Sequence, residues 1–178
     1  DPYRVDYWRG RLAQRAEGPK VGIAWSSLRL THHRRGHLTN LADWTPVLRI
    51  PGLSLICLDP AADDAEIAAV RERFGVDIHR PEGLNLRRDI DDKAALMKAL
   101  DLVICVANGV SELSGAIGVE TWMLNRSHTL DWRIVDGEGT DVFHPNKTHV
   151  FVDDRHDVDA LMEATGARLR KWLEAGRR

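Results

Sequence analysis

Cysteines are few, the net charge is small and no long apolar run occurs in this chain, and each of these removes a class of protein. Two cysteines in 178 residues cannot staple a small disulfide scaffold. Cys57 and Cys105 both lie in apolar, strand-like runs, where buried thiols are expected rather than a disulfide, in keeping with a reducing cytoplasm. The formal net charge is −2, so no basic field argues for nucleic acid or anionic lipid. No apolar run approaches the roughly 18 residues that span a bilayer, and no signal peptide is expected at the start. Internal repeats and low-complexity tracts are missing. So are the Gly-x-Gly-x-x-Gly turn of nicotinamide dehydrogenases, the P-loop and the Gly-x-Ser-x-Gly elbow. His32, His33 and His37 sit among arginines without the carboxylate or cysteine partners of a tetrahedral site, so no metal is expected. The first residue is Asp1 and not Met, as expected of a piece of a longer protein.

What remains is a chain 43% hydrophobic and 29% charged, the composition of an ordinary globular domain with a real core. Apolar periodicity predicts a leading helix over Tyr3–Arg15, then strands at Val21–Trp25, Leu53–Leu58, Val76–His79, Leu102–Val106, Thr121–Leu124 and His149–Val152. Between them, Asn40 caps a helix through Leu48, Asp63–Phe74 ends at Gly75, and Asp89–Leu100 turns Ile90, Ala94, Met97 and Leu100 inward. Val158–Leu173 closes the chain. One domain over 1–178 is expected, with a lead-in helix at 1–16, sheet and helices at 20–153 and a closing helix at 156–175. Strands alternating with helices imply an α/β, doubly wound, Rossmann-like parallel sheet of about six strands, covered on both faces. The expected strand order is 3-2-1-4-5-6, with the first and fourth strands adjacent.

The most informative segment is Leu100 to Leu124. It reads as a buried strand, a turn at Ala107 and Asn108, a helix rich in small residues, and another strand. Asn108 is a favoured cap, and free amides at Gly109, Val110 and Ser111 would face an anion. Ser111, Ser114, Gly115 and Gly118 leave one side bare, so the helix is expected to lie close on the sheet.

This segment resembles the phosphate-binding region of the C-terminal domain of GT-B glycosyltransferases, in the heptosyltransferase-like branch with its tetratricopeptide-repeat-linked relatives. Leu113, Gly115, Ala116, Gly118 and Trp122 match that frame. At four polar positions the chain differs: Ala107 stands for Asp, Asn108 for Thr, Glu112 for His and Glu120 for Pro. The resemblance extends along the chain, through Asp1–Leu12, Val21-Gly-Ile-Ala-Trp-Ser26, Leu41–Leu48 with Pro51-Gly52, Asp89–Leu96 and Asp131-Trp132-Arg133. It implies one half of a bacterial-type, cytoplasmic GT-B transferase that takes a nucleotide-diphosphate sugar as substrate and needs no cofactor. The partner is an N-terminal acceptor domain or repeat domain outside this chain, with no nucleic acid and no membrane span. In the resembled family the acceptor and often the catalytic base come from that other half, so no catalytic residue is assigned and the isolated domain is not expected to turn over. The alternative is a degenerate binding or scaffold module that kept the fold and lost donor chemistry, as Ala107, Glu112 and Glu120 suggest. A nucleotide-sugar epimerase is the weaker third reading, for want of an acid–base pair.

Carried onto matching positions, the donor-phosphate candidates are Ser26, Ser27, Arg34, Arg35, Asn108, Gly109, Val110 and Ser111, with Asp59, Glu112 and Trp132 on the rim. Three of these stay open on sequence. Asp59 either accepts from ribose hydroxyls or begins a turn. Glu112 either lies near the diphosphate, at a cost on the order of 3 kcal/mol, or faces solvent and meets the helix dipole. Trp132 covers a base or packs on a partner domain. Asp131 and Arg133 pair with each other or with neighbours, whereas Trp25, Trp44 and Trp122 are expected in the core.

Overall fold

The computed structural model describes residues 1–15, 17–28, 31 and 35–176. Six strands form one sheet: β1 (Lys20–Ala24), β2 (Ser54–Cys57), β3 (Ile78–His79), β4 (Leu102–Val106), β5 (Thr121–Leu124) and β6 (Lys147–Val150). Every pairing is parallel and the order is β3-β2-β1-β4-β5-β6, as the sequence led us to expect. Val21 pairs with Leu55 on one side and Leu102 on the other, which puts β1 and β4 at the point where the strand order reverses.

The helices are α1 (Pro2–Arg15), α2 (Thr45–Leu48, after a 3₁₀ turn at Leu41–Trp44), α3 (Asp64–Phe74), α4 (Ile90–Lys98), α5 (Gly109–Ala116) and α6 (Val158–Gly176). Alternation along β4 explains why its run is apolar throughout. Leu102, Ile104 and Val106 join a core under α2, α3 and α6 with Trp25, Trp44 and Trp122. Val103 and Cys105 join the opposite core with Trp8, Leu12, Leu96 and Met97 from α1 and α4. Both cysteines are free and buried, and burial pushes Cys57 up to about 11 and Cys105 to about 12. Among the described residues no helix is long and apolar enough to cross a membrane, and no cluster of three or more ligating side chains suits a metal ion.

Four local expectations are corrected. The sixth strand begins at Lys147, two residues early, because its polar residues are sequestered by ion pairing rather than solvated. Helix α4 buries Lys93, Ala95, Leu96 and Met97, while Ile90, at its first position, is 51% exposed. Gly118 is not a packing position. It adopts φ 72° just past α5, a left-handed conformation that glycine takes at little cost. Gly115 is close-packed, but a Cβ there would meet the His144 ring at 2.7 Å and not the sheet.

Candidate functional site

Beyond the carboxyl ends of β1 and β4 lies a cleft of about 330 Å³. Its wall on the β1 side is the Ser26–Ser27 turn, and Asp59, at the end of β2, holds that turn in place. The Asp59 carboxylate is 1% exposed and accepts from Trp25 N (3.0 Å), Ser26 N (2.6 Å), Ser26 Oγ (3.0 Å) and Ala61 N (2.9 Å). Asp59 therefore shapes the turn, and its oxygens are occupied by the protein itself. Asn108 clamps the other wall to this one, donating from Nδ2 to the Ser26 carbonyl at 2.8 Å.

Asn108 also caps α5, and the cap corrects an expectation. Its Oδ1 accepts from Val110 N at 2.9 Å and Ser111 N at 3.3 Å, so these two amides are not free. Ser111 is fully buried, and its hydroxyl donates to the Asn108 carbonyl at 3.0 Å. Gly109 is exposed at the cleft, and its amide has no hydrogen-bond partner among the described residues.

Two cations line the cleft that the sequence reading passed over. Lys93 reaches it from α4 while only 5% exposed, and burial pushes its pKa down against the pull of Asp59. Arg87 stands exposed at the rim, using Nε to donate to the Pro60 carbonyl at 3.1 Å. None of the described lining residues is acidic. The spacing of Lys93 with Met97 and Leu100 (i, i+4, i+7) was the signal that α4 turns Lys93 inward.

Glu112 points elsewhere. It lies about 200° around α5 from the cleft-lining Val110. There it accepts from Arg133 at 3.0 and 3.2 Å and from Lys147 Nζ at 3.2 Å. Behind it sits Asp141, fully buried, with His149 Nε2 at 2.7 Å, Arg133 Nε at 3.0 Å and Lys147 Nζ at 3.6 Å. Burial alone would raise the Asp141 carboxyl, but His149, Lys147 and Arg133 hold it down to about 2. Burial likewise opposes the ionised Glu112, yet the Arg133 and Lys147 bonds keep its pKa below the ordinary value. His149 is pushed down by burial in spite of Asp141. Alternation along β6 places Lys147 and His149 on one face; the sequence had left Lys147 in the loop before the strand, and that this face meets Glu112 and Asp141 was not legible either.

Of the remaining candidates, Arg34 lies outside the described residues, as do His32 and His33. Arg35 is exposed, with its amide donating to the Thr31 carbonyl at 3.1 Å, and it is not among the cleft's described lining residues. Trp132 is 67% exposed and packs edge-to-face on Phe143, 5.8 Å between ring centres, away from the described cleft lining. Asp131 and Arg133 pair with neighbours and not with each other: Asp131 with Arg155, His128 and Asn125, Arg133 with Glu112 and Asp141.

No protein-family model matches the chain. It is similar to Protein FlbA of Caulobacter vibrioides, 42% identical over 124 residues that make up 70% of this chain and 21% of FlbA. The chain thus spans about a fifth of that relative's length. Among solved structures it is similar to the E. coli heptosyltransferase WaaC with ADP-2-deoxy-2-fluoro heptose, with a TM-score of 0.51 and 13% identity. That likeness covers 94% of this chain and 47% of WaaC, so the fold is that of one half of a GT-B heptosyltransferase.

Proposed function

We propose that this chain is the donor-binding half of a GT-B glycosyltransferase, holding the diphosphate of a nucleotide sugar in the cleft between β1 and β4. The observation that carries the reading is the cleft's electrostatics. In a chain of net charge −2, the described lining of the switch-point cleft holds Lys93 and Arg87, no carboxylate, and the start of α5. Ser26, Ser27, Asn108, Gly109 and Val110 belong to that lining. Ser111 supports it from behind through the Asn108 carbonyl. In transfer, the acceptor oxygen bonds to sugar C1 and gives its proton to the base, while the bond from C1 to the phosphate oxygen breaks and its electron pair leaves with the diphosphate, where nearby positive charge stabilises it.

The chain is read as a single domain over 1–178, the C-terminal half of a cytoplasmic transferase. An acceptor-binding half, or a tetratricopeptide-repeat domain, supplies the base and the acceptor. WaaC's ADP-heptose analogue makes ADP sugars the first ligands to try. A second reading, a scaffold module that lost donor chemistry, is favoured by Ala107 where the family has Asp. Titration calorimetry with ADP, UDP, GDP and CMP and their sugars separates the two. Binding in the micromolar to low-millimolar range, selective for one nucleotide, is the expected result. No binding by any member of the panel at millimolar concentration leaves the scaffold.

A further inference from the structure

Lys93 is the one cationic side chain in the described lining of the cleft that is also buried, at 5% exposure. Its ammonium has neither a hydrogen bond nor an ion pair among the described residues. Nor is Nζ one of the fully enclosed polar atoms that lack a partner, so it keeps contact with solvent on the cleft side. The charge that acts on it most favourably is the Asp59 carboxylate, whose oxygens already serve Trp25, Ser26 and Ala61. A buried ammonium without a partner is costly, and a helix places one there at its own expense unless something completes it. The amide of Gly109, at the positive end of α5, likewise has no hydrogen-bond partner among the described residues.

We propose that Lys93 is the anion-binding cation of this cleft, pairing its buried ammonium with a phosphate oxygen of a nucleoside diphosphate that the Gly109 amide holds from the other side. The proposal rests on the donor reading above and deepens it by naming the residue that discriminates for phosphate charge. A compact ammonium neutralises a phosphate as a point charge. Arg87 at the rim adds long-range attraction but, being exposed, is screened by salt. Lys93 brings the one buried positive charge to the described lining. It also offsets what the chain lacks, since Val110 and Ser111 have given their amides to Asn108.

The test is titration calorimetry of the 178-residue chain and its Lys93→Met and Lys93→Arg variants with ADP, UDP, GDP and inorganic pyrophosphate. Protection of Lys93 from acetylation, read by mass spectrometry with and without pyrophosphate, supplies a readout independent of any nucleotide. Lys93→Met is expected to lose tenfold or more in affinity for both ligand types, with a melting temperature no lower than the parent's. Lys93→Arg is expected to retain part of the binding. Pyrophosphate is expected to slow acetylation at Lys93 by severalfold. If the parent binds a nucleoside diphosphate and Lys93→Met binds it equally well, the role of Lys93 is overturned and the donor reading stands. Pyrophosphate binding that requires Lys93, with no gain from any nucleoside, keeps the anion site and overturns the donor reading. No binding of either ligand and no protection of Lys93 overturns both.

Discussion

Glu112 and Arg133 share a two-pronged ion pair, at 3.0 and 3.2 Å, on the side of α5 away from the cleft. The resembled pattern has histidine at the position of Glu112, and a carboxylate facing the cleft would repel an anion there. The pairing removes that conflict. Arg133, which follows the resembled Asp-Trp pair, draws Glu112 toward Lys147 and Asp141 and leaves the described cleft lining free of acid.

Glu112→Gln is therefore expected to change nucleoside-diphosphate affinity less than twofold while lowering stability by about 1–2 kcal/mol. The pair is half exposed on the Glu112 side, which discounts the larger cost of breaking a buried one. Urea unfolding and titration calorimetry on the same preparation check both parts. A gain in affinity of tenfold would mean that the carboxylate does face the ligand.

Stability should fall in two steps on acidification. Burial holds His149 below its ordinary value, so below about pH 6.5 the unfolded chain takes up a proton that the folded chain refuses. Asp141, at about 2 in the fold, contributes stability that is complete above its unfolded value of about 3.9 and is lost as pH falls through 2. The second step amounts to something on the order of 2 kcal/mol. Urea unfolding between pH 7.5 and about 1.5 measures the profile. An Asp141→Asn chain that keeps the low-pH step would show that another group titrates there.

Gly115→Ala should destabilise the fold by about 1–3 kcal/mol, because its Cβ would stand 2.7 Å from the His144 ring. The cause is a contact with the loop before β6, so Gly115→Ala combined with His144→Ala should regain most of the loss. Thermal unfolding of the single and double variants decides. Additive losses would place the strain elsewhere, in the helix or the sheet.

Asp59→Ala removes the acceptor shared by the amides of Trp25, Ser26 and Ala61, and buried donors left without a partner cost about 1–3 kcal/mol each. The variant should lose at least that much stability, and amide hydrogen exchange at Ser26 should quicken before exchange at Ile104 in the sheet. Unchanged protection at Ser26 would mean that Asn108 alone fixes the turn.

The order of elements, the all-parallel sheet and the adjacency of β1 and β4 were legible because they follow from short-range signals: apolar runs, Asp63 and Asn108 as caps, Gly75 as a stop. The cleft's position was legible for the same reason, since the reversal of strand order fixes it. Its chemistry was not. Whether Asp59 serves a ligand or the turn depends on which amides surround its oxygens, and two of those three belong to residues 34 and 33 positions away. Lys93 carries the spacing of a core residue, but only the neighbouring loops decide whether a buried ammonium is paired or left open to a cleft. Glu112 sits beside Ser111 in sequence, yet its direction is set by Arg133 and Lys147, 21 and 35 residues further on. Local periodicity determined the scaffold because backbone geometry repeats along the chain. The site's charges were decided in three dimensions, because a Coulomb interaction depends on distance and burial and not on separation in sequence.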